Sequence, residues 1–299
     1  MRLAAIEFAA KNLTAAAWRL ERLLREPDLP EARQAQLQHG LGVVILESGR
    51  LVDAERELAT AVALYRATGA RRALARALDD LGMAYVYEGR LAAATRTHRE
   101  ALRIMVRAGD RHGMAQSFDH MALVAMKQRR VAAAFVLALV ALALYAPSRD
   151  QARTADVLDT LGKVCAATGR LEGASAAHRH ALRLRRRAGD DIATAKTLTN
   201  LGIVHRRSGD PVVSLACHEE AMQIRSQYGD TVGMANSHNN LGLVLTDLGK
   251  WKRARKHLRK ALAIRSTLGD TLNAERNVRN LRRLAAAAAA APGGKRSTR

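Results

Sequence analysis

Residues 239–270 read NNLGLVLTDLGKWKRARKHLRKALAIRSTLGD. Apolar residues recur through them at helical spacing, as in Leu241, Leu245, Ala254, Leu258, Ala261 and Ile264. That is the period of an α-helix with one buried face. Two breaks punctuate the pattern, Gly249-Lys250 in the middle and Gly269-Asp270 at the end. Glycine takes the left-handed backbone that ends a helix, and an aspartate after it caps the free N–H groups of the next one. The stretch predicts the end of one helix, a tight turn and a complete second helix.

The same pattern returns every forty residues. Leu-Gly pairs stand at Leu41-Gly42, Leu81-Gly82, Leu161-Gly162, Leu201-Gly202 and Leu241-Gly242, with Met121-Ala122 in the same frame. An alanine follows in step at Ala61, Ala101, Ala141, Ala181, Ala221 and Ala261, and an aliphatic residue three places later. Gly49, Gly89, Gly169, Gly209 and Gly249 break the units in the middle, and Gly109-Asp110, Gly189-Asp190, Gly229-Asp230 and Gly269-Asp270 separate them. Each unit predicts two helices of about eighteen residues, roughly 27 Å long at about 1.5 Å per residue. The units run 31–69, 70–109, 110–149, 150–189, 190–229 and 230–269. Residues 1–30 read as an N-terminal helix over 2–26 ended by Pro27 and Pro30, either a cap or a truncated repeat. Residues 270–291 read as a closing helix, and 292–299 as a disordered basic tail.

These residues resemble the tetratricopeptide repeat. Leu241-Gly242, Leu245, Gly249, Ala254, Leu258 and Ala261 reproduce that family's spacing of large and small positions. The forty-residue unit is similar to the variety found in kinesin light chains and in the arrays of actinobacterial regulators. The resemblance implies an all-α protein, a right-handed α-solenoid of antiparallel helix pairs with one domain of six units over 31–269. It implies binding of a peptide or protein segment in a concave groove, with a regulatory or sensor array of a bacterial signalling system as the alternative. Architecture alone does not name an activity.

Composition agrees with thin helical layers. Aromatic residues make up only 3% of the 299, so alanine and leucine must build the core. Cys165 and Cys217 have no CxxC or Cys/His spacing around them, which argues against a disulfide framework or structural zinc and for a reducing, cytoplasmic setting. No run is long enough to span a membrane. The formal net charge is +21, much of it on Arg183, Arg185, Arg186, Arg187, Arg206, Arg207 and the cluster Lys252 to Lys260. Such charge suits polyanions, yet stacking aromatics and any recognised nucleic-acid module are missing, so nucleic-acid binding is the lesser reading. These cations fall mostly on second helices, hence on the convex side or edge.

In tetratricopeptide arrays the first helix of each pair lines the groove. By that resemblance the residue before each Leu-Gly pair, and the one four places earlier, face it together. In the C-terminal half these are Lys196, Asn200, Asn236, Asn240, Arg276 and Asn280. Asparagine both donates to and accepts from a peptide backbone, and a cation takes a carboxylate. The row resembles peptide grooves of this family. A carboxylate clamp is not reproduced, because Ile203 and Thr199 stand where it wants Asn and Lys. The other reading is that these asparagines only bond their neighbours. In the N-terminal half, Asp79, Asp80, Asp119, Asp156 and Asp159 would make the wall acidic, unless they are merely solvated surface charge.

The third unit departs from its sisters. Val131 to Ala146 carries no charge, where the sister helices hold Arg96, Arg99 and Arg103 or Arg255, Lys256 and Arg259. Phe135, Val136, Leu139 and Val140 are therefore candidate interface residues, for a homodimer or a permanent partner; a drifted repeat that exposes Ala and Val is the plainer reading. Catalysis has little support. His98, His178 and His218 share one repeat position and read as packing or surface residues, and neither a nucleophile–base pair nor a phosphate loop appears. No cofactor or metal is expected.

Overall fold

A computed structural model describes residues 13–147 and 150–290. Helices account for nearly all of them, and no strand occurs among the described residues. The chain divides into two compact units, 1–164 and 165–299.

The first unit holds α1 (Leu13–Leu23), α2 (Glu31–Glu47), α3 (Leu51–Ala67), α4 (Arg71–Glu88), α5 (Leu91–Arg107), α6 (Arg111–Lys127) and α7 (Val131–Tyr145). It also holds most of α8 (Gln151–Ala167). The second holds α9 (Leu171–Ala188), α10 (Asp191–Arg207), α11 (Pro211–Gln227), α12 (Thr231–Asp247), α13 (Trp251–Thr267) and α14 (Thr271–Ala290). Turns of two or three residues join most neighbours, which makes consecutive helices antiparallel. From α1 to α7 and from α9 to α14 each helix packs on the next, and first helices also touch first helices, as α4 does α6 and α12 does α14. Both units are all-α repeat solenoids.

The Leu-Gly pair explains the packing. Leu41, Leu81, Leu201 and Leu241 are buried. The glycine beside each lets a side chain of the following helix lie directly on the backbone. A Cβ on Gly82 would come 2.5 Å from the His98 ring, and one on Gly242 would come 2.5 Å from Leu258. Alanines seven apart, such as Ala54 and Ala61 or Ala94 and Ala101, complete the contact with no exposed surface. The aspartates cap as expected: Asp110, Asp190, Asp210 and Asp230 accept from the backbone N–H three residues on, at 2.8–3.1 Å. Gly89 and Gly189 end α4 and α9 in the left-handed conformation.

Two details differ from expectation. The N-terminal helix, expected over 2–26, ends at Leu23, and its residues before Leu13 lie outside the described ones. The tail 292–299 also lies outside them. In the third repeat Arg129 takes φ 60°, a backbone that glycine supplies at Gly49, Gly89, Gly169, Gly209 and Gly249. The chain keeps the turn and accepts the steric cost.

Candidate functional site

The second unit presents a polar row on its first helices. Lys196, Asn236 and Arg276 are exposed, while Asn200 and Asn240 are half-buried. Ile203, one turn beyond Asn200, is 41% exposed and adds an apolar contact. Because α10 touches α12 and α12 touches α14, these side chains lie on adjoining helices. Donors, acceptors and two cations thus line one surface.

Part of the row is already engaged. Asn280 is buried, and its Nδ2 donates to Oδ1 of Asn239 at 2.8 Å, which ties α14 to α12. Nδ2 of Asn239 donates to Oδ1 of Asn240 at 3.3 Å. Oδ1 of Asn236 accepts from Arg265 at 2.8 Å. Asn280 therefore serves packing between repeats, while Asn240 and Asn236 each keep an amide N–H2 directed by a fixed oxygen.

Three buried arginines are not legible in the sequence. Arg185, expected among the outer positive charge, and its equivalents Arg225 and Arg265 are 4–5% exposed. Arg225 donates to the Ser237 hydroxyl at 2.6 Å and to the carbonyls of Gly233 and Ala195. Arg265 donates to the Asn273 carbonyl and to Oδ1 of Asn277. Arg185 reaches the Ala193 carbonyl and Thr197. Burial pulls the Arg225 and Arg265 guanidinium groups below the usual arginine range. The one available signal is the forty-residue frame: these three positions correspond to Tyr65, Met105 and Tyr145, all buried in the first unit.

The acidic wall of the first unit is largely absent. Asp79, Asp119 and Asp159 are buried, since they stand two places before Leu-Gly and point into the helix contact. Only Asp80 and Asp156 remain partly exposed, and Asp80 is taken by His39 at 2.7 Å. Burial raises the Asp119 carboxyl to about 6 and lowers His120 to about 4. Both border a small cavity of about 120 Å³ with Gln116, Arg153 and Asp156.

On α7 the structure separates the four candidate interface residues. Val136 and Leu139 are 59% and 42% exposed, while Phe135 and Val140 turn partly inward. Phe135 packs with Ala134, Ala125 and Val164. Ala132, Val136, Leu139 and Ala143 form one exposed stripe, in register with Ala92, Arg96, Arg99 and Arg103 of α5.

Tetratricopeptide-repeat models match residues 33–105, 190–267 and 154–188. The chain belongs to the tetratricopeptide-repeat family. Among curated proteins compared by sequence, none matches. Among solved structures, the Rap conjugation gene regulator of the plasmid pLS20, in complex with a Phr peptide, aligns with a TM-score of 0.72 at 16% identity, covering 91% of this chain and 74% of the other. A Rap protein complexed with Competence and Sporulation Factor gives 0.69 at 12%, covering 92% and 80%. BtubC from P. vanneervenii gives 0.59 at 21%, covering 85% and 95%. At these identities the likeness is one of fold. No helix among the described residues is long and apolar enough to cross a membrane.

Proposed function

We propose that this tetratricopeptide-repeat chain is a protein-interaction scaffold that holds an extended peptide segment on the first-helix surface of its second unit. The observation that carries the reading is the row Lys196, Asn200, Asn236, Asn240 and Arg276 on three adjoining helices. Asn200 and Asn240 sit one repeat apart; Asn200 can take both an N–H and a carbonyl of a bound backbone, and Asn240, whose oxygen accepts from Asn239, offers its N–H2 to a carbonyl. Lys196 and Arg276 stand at the two ends of the row and suit acidic side chains or a terminal carboxylate. Two of the fold's relatives are complexed with Phr peptide and with Competence and Sporulation Factor, which supports a segment as ligand and regulation as its purpose.

The test uses a peptide selected from a random library on the full chain and measured by fluorescence anisotropy. The double substitution Asn200→Ala with Asn240→Ala weakens binding at least tenfold, about 1.4 kcal/mol, with helicity and melting temperature close to the parent. Lost helicity would assign these asparagines to packing alone, and unchanged affinity would place the ligand elsewhere.

A second contact is favoured by the exposed stripe on α7. Valine and leucine stand there where α5 exposes arginine, and a bare apolar stripe invites association. We infer a homodimer, or a permanent partner, through Val136 and Leu139.

A further inference from the structure

Three helices of the first unit bring together a group of side chains that peptide binding does not use. Asp79 lies on α4, His98 on α5 and His120 on α6, so the group spans two successive repeats. One ligand atom from each, a ring nitrogen of either histidine and a carboxylate oxygen, lies within 4.8 Å of the others. Asp79 and His98 are buried. Oδ1 of Asp79 accepts from Nδ1 of His98 at 2.8 Å, and its Oδ2 accepts from the Ser117 hydroxyl at 2.8 Å. An ionised carboxylate only accepts, so His98 carries its proton on Nδ1 and leaves a lone pair on Nε2. That Nε2 is buried with no hydrogen-bond partner, and so is Nδ1 of His120. The two rings are tilted by 54° with centroids 5.4 Å apart. Buried polar atoms without partners cost free energy, and two such nitrogens on neighbouring rings suit one shared cation.

We propose that Asp79, His98 and His120 form a binding site for a divalent transition metal of the zinc class. Nε2 of His98 and a ring nitrogen of His120 are the ligands, and Asp79 orients His98 from behind, the carboxylate–histidine–metal arrangement. Imidazole donors suit zinc, nickel or copper, whereas calcium and magnesium want oxygen. Two bonds of about 2.0–2.1 Å span no more than about 4 Å, so the two ligand nitrogens must come to that separation. His120 has space to do so, because it borders the cavity of about 120 Å³. That cavity also admits water to complete the coordination, and an unpartnered, buried Oδ1 of Asp119 stands at its wall to accept from it. Arg153 lines the same cavity and opposes a cation, while Asp119 and Asp156 in the same lining favour one.

The repeat itself shows why this place differs. Aspartate recurs at Asp79, Asp119 and Asp159, and histidine at His98, His178 and His218, but the position of His120 is filled elsewhere by Gly40, Asp80, Thr160, Asn200, Asn240 and Asn280. The third group exists only here. The chain therefore supplies its own mild substitutions: His120→Asn copies Asn200, and His98→Leu copies Leu58 and Leu258, which pack on Gly42 and Gly242 as His98 packs on Gly82.

The experiment titrates zinc chloride calorimetrically into the full, chelator-stripped chain. A His257→Thr background removes a second close imidazole pair, His238 and His257, whose Nδ1 atoms are 3.0 Å apart. The background chain takes up one equivalent and melts at a higher temperature with zinc than without. His120→Asn and His98→Leu each abolish that uptake and the zinc-dependent melting shift while keeping the helical content. Asp79→Asn, which alters only the orienting group, weakens affinity about 10–100-fold. Equal zinc affinity in the background chain and in His120→Asn, or no uptake by the background chain, overturns the proposal.

Discussion

A buried imidazole that stays neutral makes a protein sensitive to acid, and His218 is such a group. Its ring lies on the Gly202 backbone and is 1% exposed. Burial, with Arg225 and Arg206 nearby, lowers its pKa from 6.5 to about 4. Between those values the unfolded chain binds a proton that the folded chain refuses, so stability is full at neutral pH and falls as the pH drops through 6.5 toward 4. His257 acts in the same direction, lowered to about 4 by burial, with His238, Arg253, Lys260 and Lys256 adding to it. Urea denaturation should show His218 alone contributing a loss of roughly 2–4 kcal/mol across that window. His218→Leu, which copies Leu258, should flatten the pH slope by one proton, and an unchanged slope would contradict the burial argument. Removing a buried guanidinium is the second change at this scale. Arg225→Met, which copies Met105, should cost about 1–2 kcal/mol in a urea titration because Ser237 and two carbonyls lose a donor. Sequence reading could place His218 on a repeated position, packing or surface, from the period alone. It could not turn Arg185, Arg225 and Arg265 inward, because arginine is ordinarily an exposed residue and only its hydrogen-bonding partners on the next helix reverse that rule.

At the scale of the helix, the period did most of the work. Helical spacing, Gly breaks and Asp caps located each pair, since those signals are local and depend on backbone geometry alone. What the period could not settle was which way each face turned. Asp79 and Asp119 looked like groove residues and prove to be buried, whereas Phe135 and Val140 looked like outer residues and are half-covered. One step along a helix rotates a side chain by about 100°, so a row chosen one residue off lands in the contact between helices. Two changes on the third repeat test its drift from the pattern. Arg129→Gly should stabilise the chain by about 0.5–1 kcal/mol by relieving a left-handed arginine, read as a higher denaturation midpoint. Val136→Arg with Leu139→Arg should restore the sister surface and convert a sedimenting dimer to a monomer with secondary structure retained. A parent chain that is already monomeric and has no partner at α7 would sink that proposal, and an unfolded variant would show both residues buried in the protomer.

Across the whole molecule, charge and fold point in different directions. A formal net charge of +21 suggests a polyanion partner, and Lys252, Arg253, Arg255, Lys256, Arg259 and Lys260 are all exposed on α13. Those cations lie on a second helix, whereas the asparagine row lies on the first. Polyanion affinity falls steeply with salt, with a log–log slope near the number of phosphates contacted, while backbone hydrogen bonds to asparagine are little screened. The two surfaces can therefore be told apart by position as well as by salt. The most direct measurement places a photo-crosslinking residue at position 203, beside Asn200, or at position 259 on the outside of α13, and irradiates each chain with the selected peptide bound in high salt. The account predicts that the peptide is captured at 203 and not at 259. Capture at 259 alone would contradict it.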